Sequence, residues 1–145
     1  MTAVGTIANR LKSGIVDALT VAFADEEITV VDGTQRDDVP MPMIAVQVTS
    51  AEAYSAALRT VQRIKVAVTL GVHYGDDEPG MIQAWIDTLE DLLANGKDMQ
   101  ELATNGIRIF DWIYNGAVEV WDEEVHATEF SISVLATRFL TSETI

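Results

Sequence analysis

The chain contains no cysteine and only three prolines in its 145 residues. Without cysteine it can form no disulfide, present no thiolate nucleophile and hold no zinc ion through sulfur. Its first residues show no basic segment followed by an apolar one, so the sequence predicts no signal peptide. No apolar run approaches the roughly 18 residues that a membrane-spanning helix needs. These absences predict a soluble, intracellular protein with no membrane partner.

Basic residues are also scarce. Nine Lys and Arg face 23 Asp and Glu, which gives a formal net charge of -14. Residues 73–145 hold three basic and fifteen acidic residues, whereas residues 1–72 hold six and eight. Such a surface repels nucleic-acid phosphates and argues against ordinary DNA binding, although DNA could still move past it without sticking. The alternative interpretation is that the acidity only aids solubility.

The usual catalytic motifs are missing. The sequence has no G-x-x-x-x-G-K-[ST] phosphate loop, no G-x-G-x-x-G segment after a strand and no G-x-S-x-G nucleophile elbow. His73 and His126 are far apart in the chain, and a metal site would need a third ligand such as Asp76 or Asp77. The acidic runs lack the spacing of a calcium-binding loop. We therefore expect no enzyme activity, no cofactor and no metal site.

Two segments have the apolar periodicity of a helix. Residues 2–24 place an apolar side chain every three or four positions, with Thr2 or Thr6 as the candidate N-cap. A second apolar stripe covers residues 81–93, and the Asn-Gly pair that follows at 95–96 is typical of a helix C-cap. Each stripe needs an apolar partner, so we expect both helices to pack against a sheet.

Other segments alternate as strands do. The clearest is 61–74, which would exceed 40 Å at about 3.3 Å per residue, whereas a compact domain of this size is about 30 Å across. We therefore expect part of it to project as one arm of a long hairpin, with 44–48 as the other arm. The intervening residues 49–60 are interpreted as a connection with at most two helical turns. The remaining predicted strands are 28–32, 106–114, 117–121 and 126–140.

Asn115-Gly116 is the strongest hairpin signal in the sequence and predicts a type I′ turn between two of these strands. Strict alternation before it would put Phe110, Trp112 and Tyr114 on one strand face. The order of elements predicts an α+β fold in a single domain, residues 1–145. Its sheet would be mostly antiparallel, with an N-terminal helix and a second helix packed against it and a projecting long β-hairpin.

Two sets of residues are candidates for a subunit or partner interface. The aromatic set is Trp112, Tyr114 and Trp121. Aromatic side chains are enriched in binding hot spots, but cross-strand packing within the chain is the alternative. The basic set is Arg59, Arg63 and Lys65. In a ring of identical subunits this basic patch would face the acidic half of the next subunit, whereas the alternative is a solvated strand face.

The order of elements resembles that of the tail-terminator, or tail-completion, proteins of long-tailed bacteriophages. The resemblance covers nearly the whole chain, beginning with the N-terminal amphipathic helix. It continues with MPMIAVQVTS, the long connection into RIKVAVTLGVHYGDD, the helix PGMIQAWIDTLEDLL and the closing strands in IRIFDWIYNGAVEVWDEEVHATEFSISVLATRF. No single functional residue carries over, because this family has no invariant chemical signature.

The resemblance implies a structural virion protein that catalyses no reaction. It would assemble as a homohexameric ring on the tail tube, end tube polymerisation and join the capsid connector at the neck end of the virion tail, after synthesis in the host cytoplasm. Its partners would be itself, the tail tube protein and the neck protein, with DNA only as passing cargo. The candidate acidic lining of the opening is Asp76, Asp77, Glu78, Asp122, Glu123 and Glu124. The alternatives are another neck or minor tail component, a non-viral intracellular α+β interaction module, or a small enzyme.

Overall fold

The computed structural model describes residues 6–33, 42–55, 60–73, 81–94, 106–121 and 125–138. These ranges contain, in order, α1 (Ile7–Ala22), β1 (Thr29–Asp32), β2 (Met43–Ala53), β3 (Val61–His73), α2 (Met81–Ala94), β4 (Ile107–Trp121) and β5 (Val125–Arg138). The strands form one sheet in the order β1-β2-β3-β5-β4. β1 runs parallel to β2, and the other neighbouring pairs are antiparallel. The predicted α+β fold with a mostly antiparallel sheet is confirmed.

The helix α1 begins where the sequence places a cap. The Thr6 hydroxyl accepts a hydrogen bond from the Asn9 backbone N–H at 3.0 Å, which satisfies one of the unpaired donors of the first turn. The predicted apolar stripe is buried, with Leu11, Ile15 and Leu19 fully enclosed. This stripe packs mainly on β1 and β2, and α1 also contacts β3, β4 and β5.

The helix α2 packs on the same face of the sheet as α1. Its stripe residues Trp85, Leu89 and Leu93 are buried, and the helix contacts β4 and β5. The two helices and the inward side chains of the strands share one apolar core. The described part of the chain therefore forms two layers, helices on sheet, and places neither helix on the opposite face, which we call the open face. Neither helix in these ranges is long and apolar enough to cross a membrane.

The strands β2 and β3 form the long hairpin that the sequence predicts. β3 pairs with β5 along its whole length, so the exposed part of the hairpin is the distal end of β2. The prediction that the connection begins at residue 49 is wrong for 49–53, because β2 continues to Ala53 after a bulge at Thr49. Ala-rich sequence favours a helix here, but pairing with β3 overrides that local preference. Residues 56–59 lie outside the described residues.

The predicted hairpin turn at Asn115-Gly116 is wrong. β4 is one strand of 15 residues, and the segments before and after this pair both bond to β5 instead of to each other. Asn115 is an extra residue in the ladder, and Gly116 has a φ of 105°. An Asn-Gly pair supplies the left-handed conformation that a bulge needs as readily as the one that a turn needs. The acidic turns at 76–78 and 122–124 and the C-cap at 95–96 lie outside the described residues.

An earlier bulge in β4 corrects the predicted strand faces. The register shifts between Ile109 and Asp111, so Phe110 is an extra residue and the alternation changes phase there. Trp112 and Tyr114 consequently lie on the core side with Ile109 and pack against the core. Phe110 is 49% exposed. The prediction that these three aromatic side chains share one strand face is wrong, because it assumed an uninterrupted two-residue period.

Gly33 sits at the end of β1, where a side chain has no room. A Cβ atom there would lie 2.8 Å from Gln47 Cβ and 3.0 Å from the Val46 carbonyl oxygen. We expect Gly33→Ala to lower the free energy of unfolding by about 1–3 kcal/mol, because β2 must move away. Urea unfolding measures the loss. If the clash with Gln47 is the cause, Gly33→Ala costs less in a Gln47→Gly background. Additive losses from the two substitutions would contradict this explanation.

Candidate assembly interface

The aromatic set is used largely within the chain. The Trp112 indole N–H donates to the Leu93 carbonyl oxygen at 2.8 Å, near the end of α2. The Tyr114 hydroxyl donates to Glu90 Oε2 at 3.0 Å. These two hydrogen bonds fasten α2 to β4, and both side chains are half-buried. The structure does not test a contact with a partner. For Trp121 it describes the backbone, which pairs with His126.

Partial burial, and then the hydrogen bond and charge of Glu90, raise the pKa of Tyr114 from 10.0 to about 12. The folded protein thus holds this proton more tightly than the unfolded chain does. The corresponding stabilisation is fully present below pH 10 and is lost as the pH rises from 10 to 12. Because the site is partly open to solvent, the effect is small compared with burial of a core side chain.

We therefore expect Tyr114→Phe to flatten the fall in stability above pH 10. At neutral pH the variant loses one hydrogen bond and is less stable by about 1 kcal/mol or less. Urea unfolding of both proteins across the alkaline range measures the difference. Tyr54→Phe is the matched control, because Tyr54 is 51% exposed and bonds through its backbone to Val61. An unchanged alkaline slope in Tyr114→Phe would contradict the assignment.

The basic set lies partly on the open face. Arg63 and Lys65 occupy alternate positions of β3, opposite Glu52 and Ser50 of β2. Lys65 is exposed and Arg63 is half-buried. Arg59 lies outside the described residues. The structure therefore places two of the three predicted basic residues together, on a face that neither described helix covers.

The candidate acidic lining is not described. All six of its residues lie outside the described ranges, so their position relative to an opening stays a prediction. That set is Asp76, Asp77, Glu78, Asp122, Glu123 and Glu124. Among the described residues, acidic side chains are exposed along α2, at Asp87, Glu90 and Asp91. These belong to the strongly acidic second half of the chain.

The two histidines come closer together than their sequence positions suggest. His73 pairs with Val125, and His126 pairs with Val72, so the two backbones are one register step apart on neighbouring strands. The His126 ring lies 3.7 Å from a Glu119 carboxylate oxygen. Within the described ranges, no group of three or more His, Asp or Glu side chains is arranged to hold a metal ion.

An apolar row on the open face was not identified from the sequence. It follows β4 and consists of Phe110, Ile113 and Val118, which are 49%, 42% and 65% exposed. The Arg108 guanidinium lies 5.4 Å from the centre of the Phe110 ring, within reach of a cation–π contact. Three exposed large apolar side chains along one strand are typical of an interaction surface. Strict two-residue alternation does not predict this row, because the alternation of strand faces changes phase at Phe110.

The sheet also has two open edges. In the described part of the chain, β4 pairs only with β5, and β2 beyond Val46 pairs only with β3. These edges lie on opposite sides of the sheet. Unpaired edge strands offer backbone donors and acceptors to another chain. β1 covers only residues 43–46 of β2 and leaves its distal half open.

No protein-family model matches the chain, and no curated protein matches it either.

Proposed function

We propose that this chain is a structural subunit that caps a bacteriophage tail tube as a homohexameric ring. The ring ends tube polymerisation and provides the surface to which the neck or capsid connector attaches. The observation that carries this proposal is the two-layer fold of the described residues, in which neither helix covers one face of the sheet and both β4 and the distal half of β2 have an unpaired edge. Such a subunit can contact a copy on either side of itself, as a closed ring requires.

The chemistry of the described residues favours assembly over catalysis. Their buried polar side chains are Thr128 and Ser133, neither of which is ionisable. The described hydrogen bonds of Trp112 and Tyr114 connect secondary-structure elements to one another. An acid–base mechanism instead needs ionisable groups gathered in a cleft. This pattern of the described residues supports a protein that acts through its surfaces.

The direct test mixes the purified protein with tail tubes of the phage whose genome encodes it. Negative-stain microscopy is expected to show rings on one end of each tube, and tubes capped in this way do not elongate when tube protein is added. Light scattering after size-exclusion chromatography is expected to show rings, or monomers that assemble only on tube ends. Unchanged tube growth in the presence of excess protein would exclude the terminator function.

The same experiment separates the alternatives. A different neck component would bind connectors or completed necks and leave bare tube ends free. A non-viral interaction module would bind neither. A small enzyme would form a small stable oligomer around a ligand pocket.

The acidic lining belongs to this proposal and has its own test. In a ring with an acidic opening, DNA passes without binding because its phosphates meet few cations. Charge reversal of Asp76, Asp77 and Glu78 to Lys is expected to leave ring assembly intact and to impair DNA passage. Infectivity of phage carrying the variant measures the effect, and microscopy of its tails is the control for assembly. Unchanged infectivity would count against the lining.

A further inference from the structure

We propose that neighbouring copies join edge to edge, with the distal half of β2 from one copy pairing antiparallel with β4 of the next and Glu52 beside Arg108. This inference rests on the proposed function, because it names the contact that would close the ring. A second copy of this chain occupies each of the two open edges.

Strand direction supports this pairing. Across the sheet, β2, β3, β5 and β4 alternate in direction, so the two open edges run in opposite senses. A copy placed beside the first by rotation about a ring axis therefore brings its β2 antiparallel to β4. An even number of alternating strands per copy lets this pattern repeat around the ring with every junction antiparallel. Closure then pairs β4 and the distal half of β2 in every copy, while the outer edge of the four-residue β1 takes no part in the junction.

The two open edges also lie at the same height of the sheet. Ala53 of β2 pairs with Gln62, Gln62 with Ala136, and Ala136 with Ile109 of β4. The exposed distal end of β2 and the beginning of β4 are therefore on one row. Neighbouring copies can bring these segments together without a large displacement along the ring axis.

Charge selects the register of the contact. The next row of the open face runs from Glu52 through Arg63 and Leu135 to Asp111, so a junction without stagger would set Glu52 against Asp111. The preceding paired position of β4 on the open face is Arg108, opposite Thr137, because Phe110 is the unpaired residue of the bulge. If the neighbouring copy is shifted along the strand from Asp111 to Arg108, Glu52 lies beside an opposite charge instead of a like charge. Closing a sheet into a barrel requires a stagger of its strands.

The apolar row lies beside the same junction. Phe110 and Ile113 are exposed on β4 next to its open edge, where side chains of an added strand would cover them. An added strand runs about 4.8 Å from β4, which puts its side chains within contact distance of this row. Pairing thus protects apolar surface as well as backbone donors and acceptors.

The absence of cysteine allows a clean cross-linking test. In the double variant Glu52→Cys/Arg108→Cys, the two sites of one copy are separated by three strand spacings, about 14 Å, which is too far for a disulfide. Cross-links therefore form only between copies. Each copy has one site on either edge, so oxidation is expected to give a ladder of covalent oligomers that ends at the ring. Non-reducing gel electrophoresis measures it.

Three controls make the result specific. Each single variant is expected to give no ladder, and Glu52→Cys/Asp111→Cys to cross-link more slowly than the double variant with Arg108. Glu52→Cys/Val21→Cys uses an exposed position on α1, on the far side of the sheet, and reports random collisions. Overturning results are dimers from Arg108→Cys alone, which indicate a two-fold β4–β4 contact, or a ladder only from the Asp111 variant.

The outcome distinguishes the two proposals. Rings on tube ends without the Glu52–Arg108 ladder leave the terminator function in place and overturn this junction. A ladder without capping of tubes supports the junction and overturns the function. The absence of both rings and ladder contradicts both proposals.

Discussion

Replacement of Phe130 by alanine is expected to lower the free energy of unfolding by about 3–5 kcal/mol. Phe130 is fully buried in the middle of β5, opposite Val68 of β3 and Ala117 of β4, on the face that the helices cover. Truncation removes its dispersion contacts and leaves a cavity that the surrounding sheet cannot fill. Since a domain of this size is stable by only about 5–15 kcal/mol, the loss is a large share of the total.

Phe110→Ala is the matched control, because it removes the same atoms from an exposed position on the neighbouring strand. We expect it to change the free energy of unfolding by less than about 1 kcal/mol. Chemical denaturation of both variants, fitted with a common dependence on denaturant, measures the contrast. Similar losses for the two variants would contradict the assigned faces of β4 and β5. If Phe110 lies at the junction between copies, its truncation weakens assembly without weakening the subunit.

The elements that could be predicted from the sequence are those with an uninterrupted local period. The stripe of α1 and the cap at Thr6 needed only the three-to-four spacing of apolar residues and a hydroxyl before it. β3 has a large apolar side chain at every even position from 64 to 72, whereas its other face is mixed, so its core face was evident. In each case the large apolar side chains lie on one face, and the chain itself carries that difference.

The extension of β2 could not be predicted in this way. Residues 49–53 are rich in residues that favour helices, and the exposed side chains at Ala51 and Ala53 provide no alternation of burial. They form a strand because β3 offers a partner to which they can bond. The β3 partners of residues 50–53 lie nine to 15 positions along the chain, and local propensity does not report such pairing.

The faces of β4 were mispredicted for a related reason. A single extra residue in a strand changes which of the following side chains face the core. Strict alternation carried through Phe110 placed its ring on the same face as Trp112 and Tyr114, whereas the bulge separates them. One signal was available in the sequence: β5, with its alternating face, is about as long as the two predicted strands before it together. One long neighbouring strand can pair with β5 over its whole length better than two short strands can.

Deletion of Phe110 together with Asp111 tests the importance of this residue count directly. Deletion of Phe110 alone leaves Ile109, Asp111 and Trp112 in regular alternation, whereas the double deletion makes Ile109 and Trp112 consecutive, and consecutive residues of a strand face opposite sides. Either Ile107 and Ile109 turn away from the core, or Trp112 and Tyr114 do. At about 1.5–3 kcal/mol for each large apolar side chain, losing two of them costs about 3–6 kcal/mol.

We expect this double deletion to be far more damaging than deletion of Phe110 alone, although both remove the same exposed ring. The difference between them isolates the residue count from the side chain, because the single deletion keeps Trp112 and Tyr114 on the core side. Denaturation measures the stability of each protein, and the fluorescence of Trp112 reports its exposure, with Trp112→Phe identifying its share of the signal. A double-deletion variant as stable as the single deletion would show that the ladder tolerates either register. In that case the residue count before Trp112 would not be what holds its side chain against α2 and leaves Ile113 on the open face.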